Sequence, residues 1–274
     1  MSLEITNKIN NVINALTNLG YETKTDKVSK NGVEKEGLLI KKHDALWAIF
    51  YIDILEQMEE DKIIAYITKE LEDQSFYLDI NLLNDREYVI EHMHIGLQRE
   101  SDIPLVSRKS PFDGIVEYLY VLYEGTGAIN LSEQVFEQIT KDKYTKEDVW
   151  NIALKHTCED AIIGDIQEMM YEDLGIPSET ENITTPMCVI TSKSRIRGAA
   201  AVLNKEIVKR YTDTFGLEEF YLIPSSIHEV IVIPCTMPKE DADRMVRDAN
   251  TEVVSDDIKL GDRAFLVKTK EYVA

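Results

Sequence analysis

The spacing of apolar residues divides the chain into stretches of helical period and stretches of strand period. Ile5, Ile9, Val12, Ile13, Leu16 and Leu19 recur three or four residues apart. They predict an amphipathic helix over 3–19, with Gly20 where a left-handed cap belongs. Three strand-like runs follow at 21–28, 33–41 and 45–52. Asn31-Gly32 joins the first two and predicts a hairpin, because both turn positions must tolerate positive φ. The third run, ALWAIFYI, is apolar on both faces and reads as a central strand covered on both sides. Helical period returns over 53–72, so the first block reads α-β-β-β-α. The pattern over 76–100 fits short strands as well as a helix around 85–97.

Residues 115–131, IVEYLYVLYEGTGAINL, predict a second hairpin turning at Glu124-Gly125-Thr126-Gly127. This Gly-x-Gly lacks the third glycine and the Lys-Ser/Thr of a phosphate loop, so it reads as a turn. Helix starts are visible at Ser132, and at the capping-box pairs Thr145/Asp148 and Thr157/Asp160. The last of these helices is expected to stop near Gly175-Ile176-Pro177, and 178–185 is a polar, acidic linker. A boundary there would give an N-terminal α+β region with a helical middle (1–180) and a C-terminal α+β region (181–274). One continuous domain is the other option. The final third predicts strands at 187–191 and 198–203, a helix at 205–215 stopped by Gly216, the pair of apolar runs in Glu219–Pro234, a helix at 239–249 and a strand at 264–268. That order, β-β-α-β-β-α-β, makes the whole an α+β protein.

Glu219–Pro234 also holds the chain's one local grouping of Ser225, Ser226, His228 and Glu229, the residue types of a nucleophilic hydrolase. As a hairpin, however, it puts 224–227 in the turn and sends His228 and Glu229 to opposite faces, so Glu229 is badly placed to orient His228. No Gly-x-Ser-x-Gly elbow accompanies the serines. Turn chemistry is the simpler reading, with Ser225, Ser226 and His228 as ligand or interface candidates. Lys193, Arg195 and Arg197 form a basic loop whose alternate charges suit a phosphate or an acidic partner, or solvent. His92-x-His94 offers two metal ligands only if it lies on one strand face, and neither HExxH nor EF-hand spacing occurs. No catalytic residue, metal or cofactor is assigned.

Charge sharpens the picture. The chain carries a net charge of −20. Residues 76–185 have 22 acids and 8 bases, while 186–274 are nearly balanced at 14 and 13. Such a chain would be repelled by a phosphate backbone, so direct nucleic-acid binding is not expected. An acidic surface suits instead a basic protein partner, or mimicry of nucleic acid in a basic groove. Cys158, Cys188 and Cys235 are three and widely spaced, which predicts free thiols rather than a disulfide framework or zinc site. No run reaches the ~18 apolar residues of a membrane span, and MSLEITNKIN lacks the pattern of a secretion signal. A cytoplasmic location is the expectation.

The segments MCVITSKSRIRGAAAVL, FYLIPSSIHEVIVIP and MVRDANTEVVSDDIKLGDRAFLV resemble the C-terminal pattern of the bacterial domain-of-unknown-function family 5688. GTGAINLS, NIALKHT and ALWAIFYID extend the likeness over most of the chain, with 79–111 more divergent. The resemblance implies a bacterial protein, often carried on mobile elements, and brings no established activity and no catalytic residues to carry over. The function expected is thus non-enzymatic binding of a basic protein through acidic surface. The alternative is an enzyme or a small-ligand or nucleotide-binding domain with a pocket on the C-terminal sheet.

Overall fold

The computed structural model describes residues 3–42, 47–72, 82, 84–101, 105–123, 127–173, 183–252 and 254–274. It is an α+β protein with three antiparallel sheets among those residues. The chain divides into two compact units, Met1–Val89 and Ile90–Ala274.

In the first unit α1 (Leu3–Asn18) turns Ile9, Val12 and Leu16 inward. It ends where the Tyr21 amide returns to the Leu16 carbonyl at 3.1 Å. β1 (Glu22–Lys30) and β2 (Val33–Lys41) pair in the register Lys30↔Val33, closed by Asn31 and Gly32 at φ 51° and 83°. That is the mirror-image turn the dipeptide predicts. α2 (Ile52–Leu55) and α3 (Glu60–Glu72) complete the block, and Ile52, Leu55, Ile63 and Ile67 join Leu38 and Ile40 of β2 in its core.

The sheet order corrects one expectation. β3 (Ala48–Tyr51) pairs only with β2 in the order β1-β2-β3, so β2 is central and β3 an edge among the described residues. Its Ile49 is 43% exposed. Lysine ammonium groups stand over two aromatics of the third run. Lys24 and Lys41 stand 5.1 Å from the Trp47 ring centre, and Lys30 stands 4.6 Å from that of Tyr51. The portion of this run at 45–46 lies outside the described residues.

α4 (Arg86–Glu91) leads into the second unit, whose first sheet runs β4 (Met93–Arg99), β6 (Ile115–Tyr123), β5 (Ser107–Lys109), with β7 (Gly127–Asn130) also on β6. The ambiguous stretch therefore resolves into a short helix followed by a strand; 73–81 and the turn 124–126 lie outside the described residues. α5 (Glu133–Asp142) is capped by Ser132, and α6 (Lys146–Asp160) opens on the predicted Thr145/Asp148 box. The box predicted at Thr157/Asp160 is not a helix start. Thr157 lies inside α6 with its hydroxyl on the Ala153 carbonyl, 2.8 Å away, where it also accepts the Ile95 amide of β4 at 2.9 Å.

After α6 comes β8 (Ala161–Asp165), then α7 (Ile166–Asp173) and β9 (Cys188–Ser192). β8 pairs with β9 across the acidic segment, so residues on both sides of 178–185 share one sheet. The sheet continues β12-β10-β11-β9-β8, with β10 (Glu219–Ser226), β11 (Glu229–Pro234) and β12 (Phe265–Lys268), all antiparallel. α8 (Lys205–Phe215), α9 (Lys239–Glu252) and α10 (Thr269–Val273) complete the unit.

The strand expected at 198–203 is a 3-10 helix, Gly198–Leu203. Ala199, Ala200, Ala201 and Val202 are all buried, which a two-faced strand with one solvated side would not allow. A run of alanines is apolar enough to mimic a strand but has no β preference of its own.

Candidate functional site

The predicted hairpin forms, and Glu219–Pro234 occupies the middle of the five-stranded sheet. A register shift falls between Ile223 and Ser226, so the Pro-Ser-Ser break is a bulge before the turn at Ile227 and His228. Ser226 is 8% exposed, and its hydroxyl accepts the His228 amide at 3.1 Å. Ser225 donates instead to Glu229 Oε1 at 3.3 Å. Glu229, the first residue of β11, thus engages a serine.

The basic loop meets this turn. It leaves β9 with Arg195 and Arg197 in left-handed conformation, at φ 56° and 51°. Gly198 follows where only a glycine fits. A Cβ there would fall inside 3.0 Å of the Thr191 hydroxyl, the Ser192 amide and the His228 carbonyl. The Thr191 hydroxyl donates to that same carbonyl at 2.8 Å. In return the Arg197 amide donates to His228 Nδ1 at 3.3 Å. The ring nitrogen must therefore present a lone pair at Nδ1, and a neutral ring then carries its proton on Nε2.

The side chain of Arg197 crosses to the other sheet of the unit. Its Nη1 donates to the Tyr118 hydroxyl at 2.9 Å and to Asn130 Oδ1, and the guanidinium lies 5.4 and 5.2 Å from the Tyr118 and Tyr120 ring centres. Tyr118 is fully buried against Gly96, where an added Cβ would stand 2.6 Å from its hydroxyl. Burial pushes both phenols well above their ordinary range, and the nearby guanidinium only partly offsets this. Lys193, although exposed, donates from its tip to the Glu159 carbonyl at 2.8 Å, and Arg195 reaches the Met169 carbonyl at 3.5 Å. The structure therefore brings Arg197, His228 and Ser226 together as a strap between sheets. Lys193 and Arg195 fasten to helices elsewhere.

Asp165 and His156, two residues of consequence, gave no signal in the sequence. Asp165, 3% exposed at the end of β8, accepts the amides and hydroxyls of Thr184 and Thr185 at 2.6–3.1 Å. Burial pushes its carboxyl up, but these donors outweigh it and hold the group below the usual carboxylate range. Burial, and after it the same carboxylate, push the Cys188 thiol up to about 12, so that buried cysteine is an inert thiol. His94 stacks on Tyr120 at 5.7 Å and lies 5.8 Å from His156. Burial lowers the pKa of His94 and raises that of Asp160.

The second unit also has an open cavity of about 680 Å³ beside β12 and α9. Arg99, Arg247, Lys259 and Arg263 line it together with Asp113 and Asp243. Arg99 holds the Asp256 carbonyl at 2.7 Å, Arg263 pairs with Asp113, and Asp243 takes Lys239 and the Ala264 amide, both at 2.8 Å. None of Ser225, Ser226, His228 or the loop 193–197 lines this cavity. A three-ligand cluster of His, Cys, Asp or Glu is absent among the described residues, and no helix there is long and apolar enough to cross a membrane.

Neither the curated proteins nor the solved structures yield a match to this chain. Residues 3–268, including the divergent stretch 79–111, match the model of the Family of unknown function (DUF5688), and the chain belongs to that family.

Proposed function

We propose that the protein works by binding a basic protein partner, and not by catalysing a reaction. The state of His228 carries this reading. A serine-activating histidine donates from Nδ1 to its orienting carboxylate and keeps a lone pair on Nε2 for the serine. Here Nδ1 is itself the acceptor, bound by the Arg197 amide at 3.3 Å. The grouping that looked most like an active site is thus a structural joint, and what is left to recognise a partner is the surplus of carboxylates. Some of that surplus is structural. Glu117 is buried against Arg108 at 2.7 Å, Asp148 caps α6 and Asp165 pins the chain before β9. The partner is met by the exposed remainder, including Glu133, Glu137, Glu147 and Glu159. Immobilised full-length protein exposed to a native host lysate should retain a basic protein at low salt and release it at high salt. Recovery of no basic protein at low salt removes this reading.

The cavity supports a second reading, binding of a small anion beside the C-terminal sheet. Arg247 faces it without a hydrogen bond from its guanidinium to any described residue. Inorganic phosphate or a nucleotide should then raise the unfolding temperature of the wild-type chain and leave that of Arg247→Ala unmoved. Equal shifts in both proteins would reject the site.

A further inference from the structure

His94 and His156 are brought together from positions 62 residues apart in sequence. His94 lies on β4, opposite Tyr120 in the register, and His156 lies on α6, which packs against that strand. Each ring binds a backbone carbonyl through the same nitrogen. His94 Nδ1 is 3.0 Å from the His92 carbonyl, and His156 Nδ1 is 3.0 Å from the Met93 carbonyl. A carbonyl only accepts, so both Nδ1 atoms carry the proton and both neutral rings present a lone pair at Nε2. This is the arrangement of metal-binding imidazoles, whose second ring nitrogen donates to a carbonyl or carboxylate and fixes the tautomer. Neither Nε2 has a hydrogen-bond partner among the described residues, and neither is a buried orphan.

The separation fits as well. With a metal–nitrogen bond of about 2.0–2.1 Å, each ring centre sits about 3.2 Å from the ion, and two rings on one tetrahedral ion have centres about 5.2 Å apart. The observed 5.8 Å corresponds to opening that angle to about 130°. Asp160 follows His156 by one helical turn on α6 and interacts electrostatically with His94, although it does not close a three-residue cluster.

We propose that His94 and His156 form a two-imidazole site for a divalent late first-row ion, zinc, copper or nickel, whose remaining positions are filled by water. Imidazole nitrogen suits these ions and disfavours magnesium and calcium. The histidine signal in the sequence was His92-x-His94, but the ligand that joins His94 comes from the helix.

The test uses the untagged full chain and each metal chloride alone, with affinity read by competition against a chromophoric chelator. One ion per chain is expected for the wild type, together with a metal-dependent rise in unfolding temperature. His94→Ala should weaken binding at least tenfold. His156→Asn should do the same, and because its amide can take the place of Nδ1 and donate to the Met93 carbonyl, the metal-free unfolding temperature should hold. His92→Ala and His228→Ala should bind as the wild type does. Undiminished affinity in either of the first two variants, or no stoichiometric binding by the wild type, overturns the proposal. Loss only in a variant whose metal-free far-UV spectrum has also changed would assign the pair to folding and overturn it equally.

Discussion

Replacing Arg197 by alanine removes a side chain that fastens the loop after β9 to the aromatic face of β6. The Tyr118 hydroxyl, with no solvent access, loses its donor at 2.9 Å, and Asn130 loses the same partner. A hydrogen bond to a charged group contributes about 1.5–3 kcal/mol. The guanidinium also leaves the Tyr118 and Tyr120 rings, at 5.4 and 5.2 Å, for roughly another 1 kcal/mol at a partly desolvated position. The expected loss is about 3 kcal/mol, or a urea midpoint lower by ~1 M for an m-value of about 3 kcal/mol/M. Because the chain has two units, the assay needs a local reporter. In a Trp47→Phe background, Trp150 of α6, buried and 4.3 Å from the Arg108 guanidinium, reports the second unit alone. Tyr118→Phe should cost about 1 kcal/mol, and the double variant should cost clearly less than the sum, by about 1 kcal/mol of coupling. Additivity within ~0.3 kcal/mol, or a loss below ~0.5 kcal/mol for Arg197→Ala, would refute the strap.

Gly198→Ala forces a methyl against two backbone atoms that cannot yield, and should cost more than ~3 kcal/mol or leave the chain unfolded by near-UV circular dichroism. Asp165→Asn should destabilise at neutral pH. Because the native carboxyl titrates below its unfolded value of about 3.9, its contribution is complete above that pH and fades as the pH falls through the lower native value. The gap between wild-type and variant midpoints should therefore be constant from pH 7 to 5 and close in strong acid; a gap that widens below pH 4 contradicts the assignment. Ser226→Ala should cost about 1 kcal/mol, since it bares the His228 amide, whereas Ser225→Ala should stay within ~0.5 kcal/mol in the same urea titration.

Local features were the ones legible in the sequence. The Asn31-Gly32 turn, the cap at Thr145 and the hairpin of Glu219–Pro234 each rest on a few adjacent residues, and each formed as expected. Failures came where a distant element decided the outcome. Thr157 has the look of a cap, but β4 claims its hydroxyl from 62 residues away. The alanines at 199–201 look like a strand until both sheets of the unit close over them. β3 looks central because its run is apolar throughout, and the lysine ammonium groups that stand over Trp47 and Tyr51 are invisible to a hydrophobicity pattern. The candidate site shows the same limit. His228 and Arg197 were singled out as types, but the direction of the hydrogen bond between them, which decides what His228 can do, exists only once the loop and the turn meet. Asp165, with its four donors from two threonines, carried no spacing by which an acid among 50 could be distinguished.

The meeting of α6 with β4 has a consequence for how the protein behaves at high concentration. Within the described residues β4 has a strand neighbour on one side only, and an open edge is a template on which another chain can add a strand. His156 and Thr157 occupy that template, one taking the Met93 carbonyl and the other the Ile95 amide. Two side chains of a helix thus imitate the backbone of a missing strand without offering an edge of their own. Fraying of the last turn of α6 would free those two groups first, so self-association and fibre formation should begin there, well before the core of the unit opens.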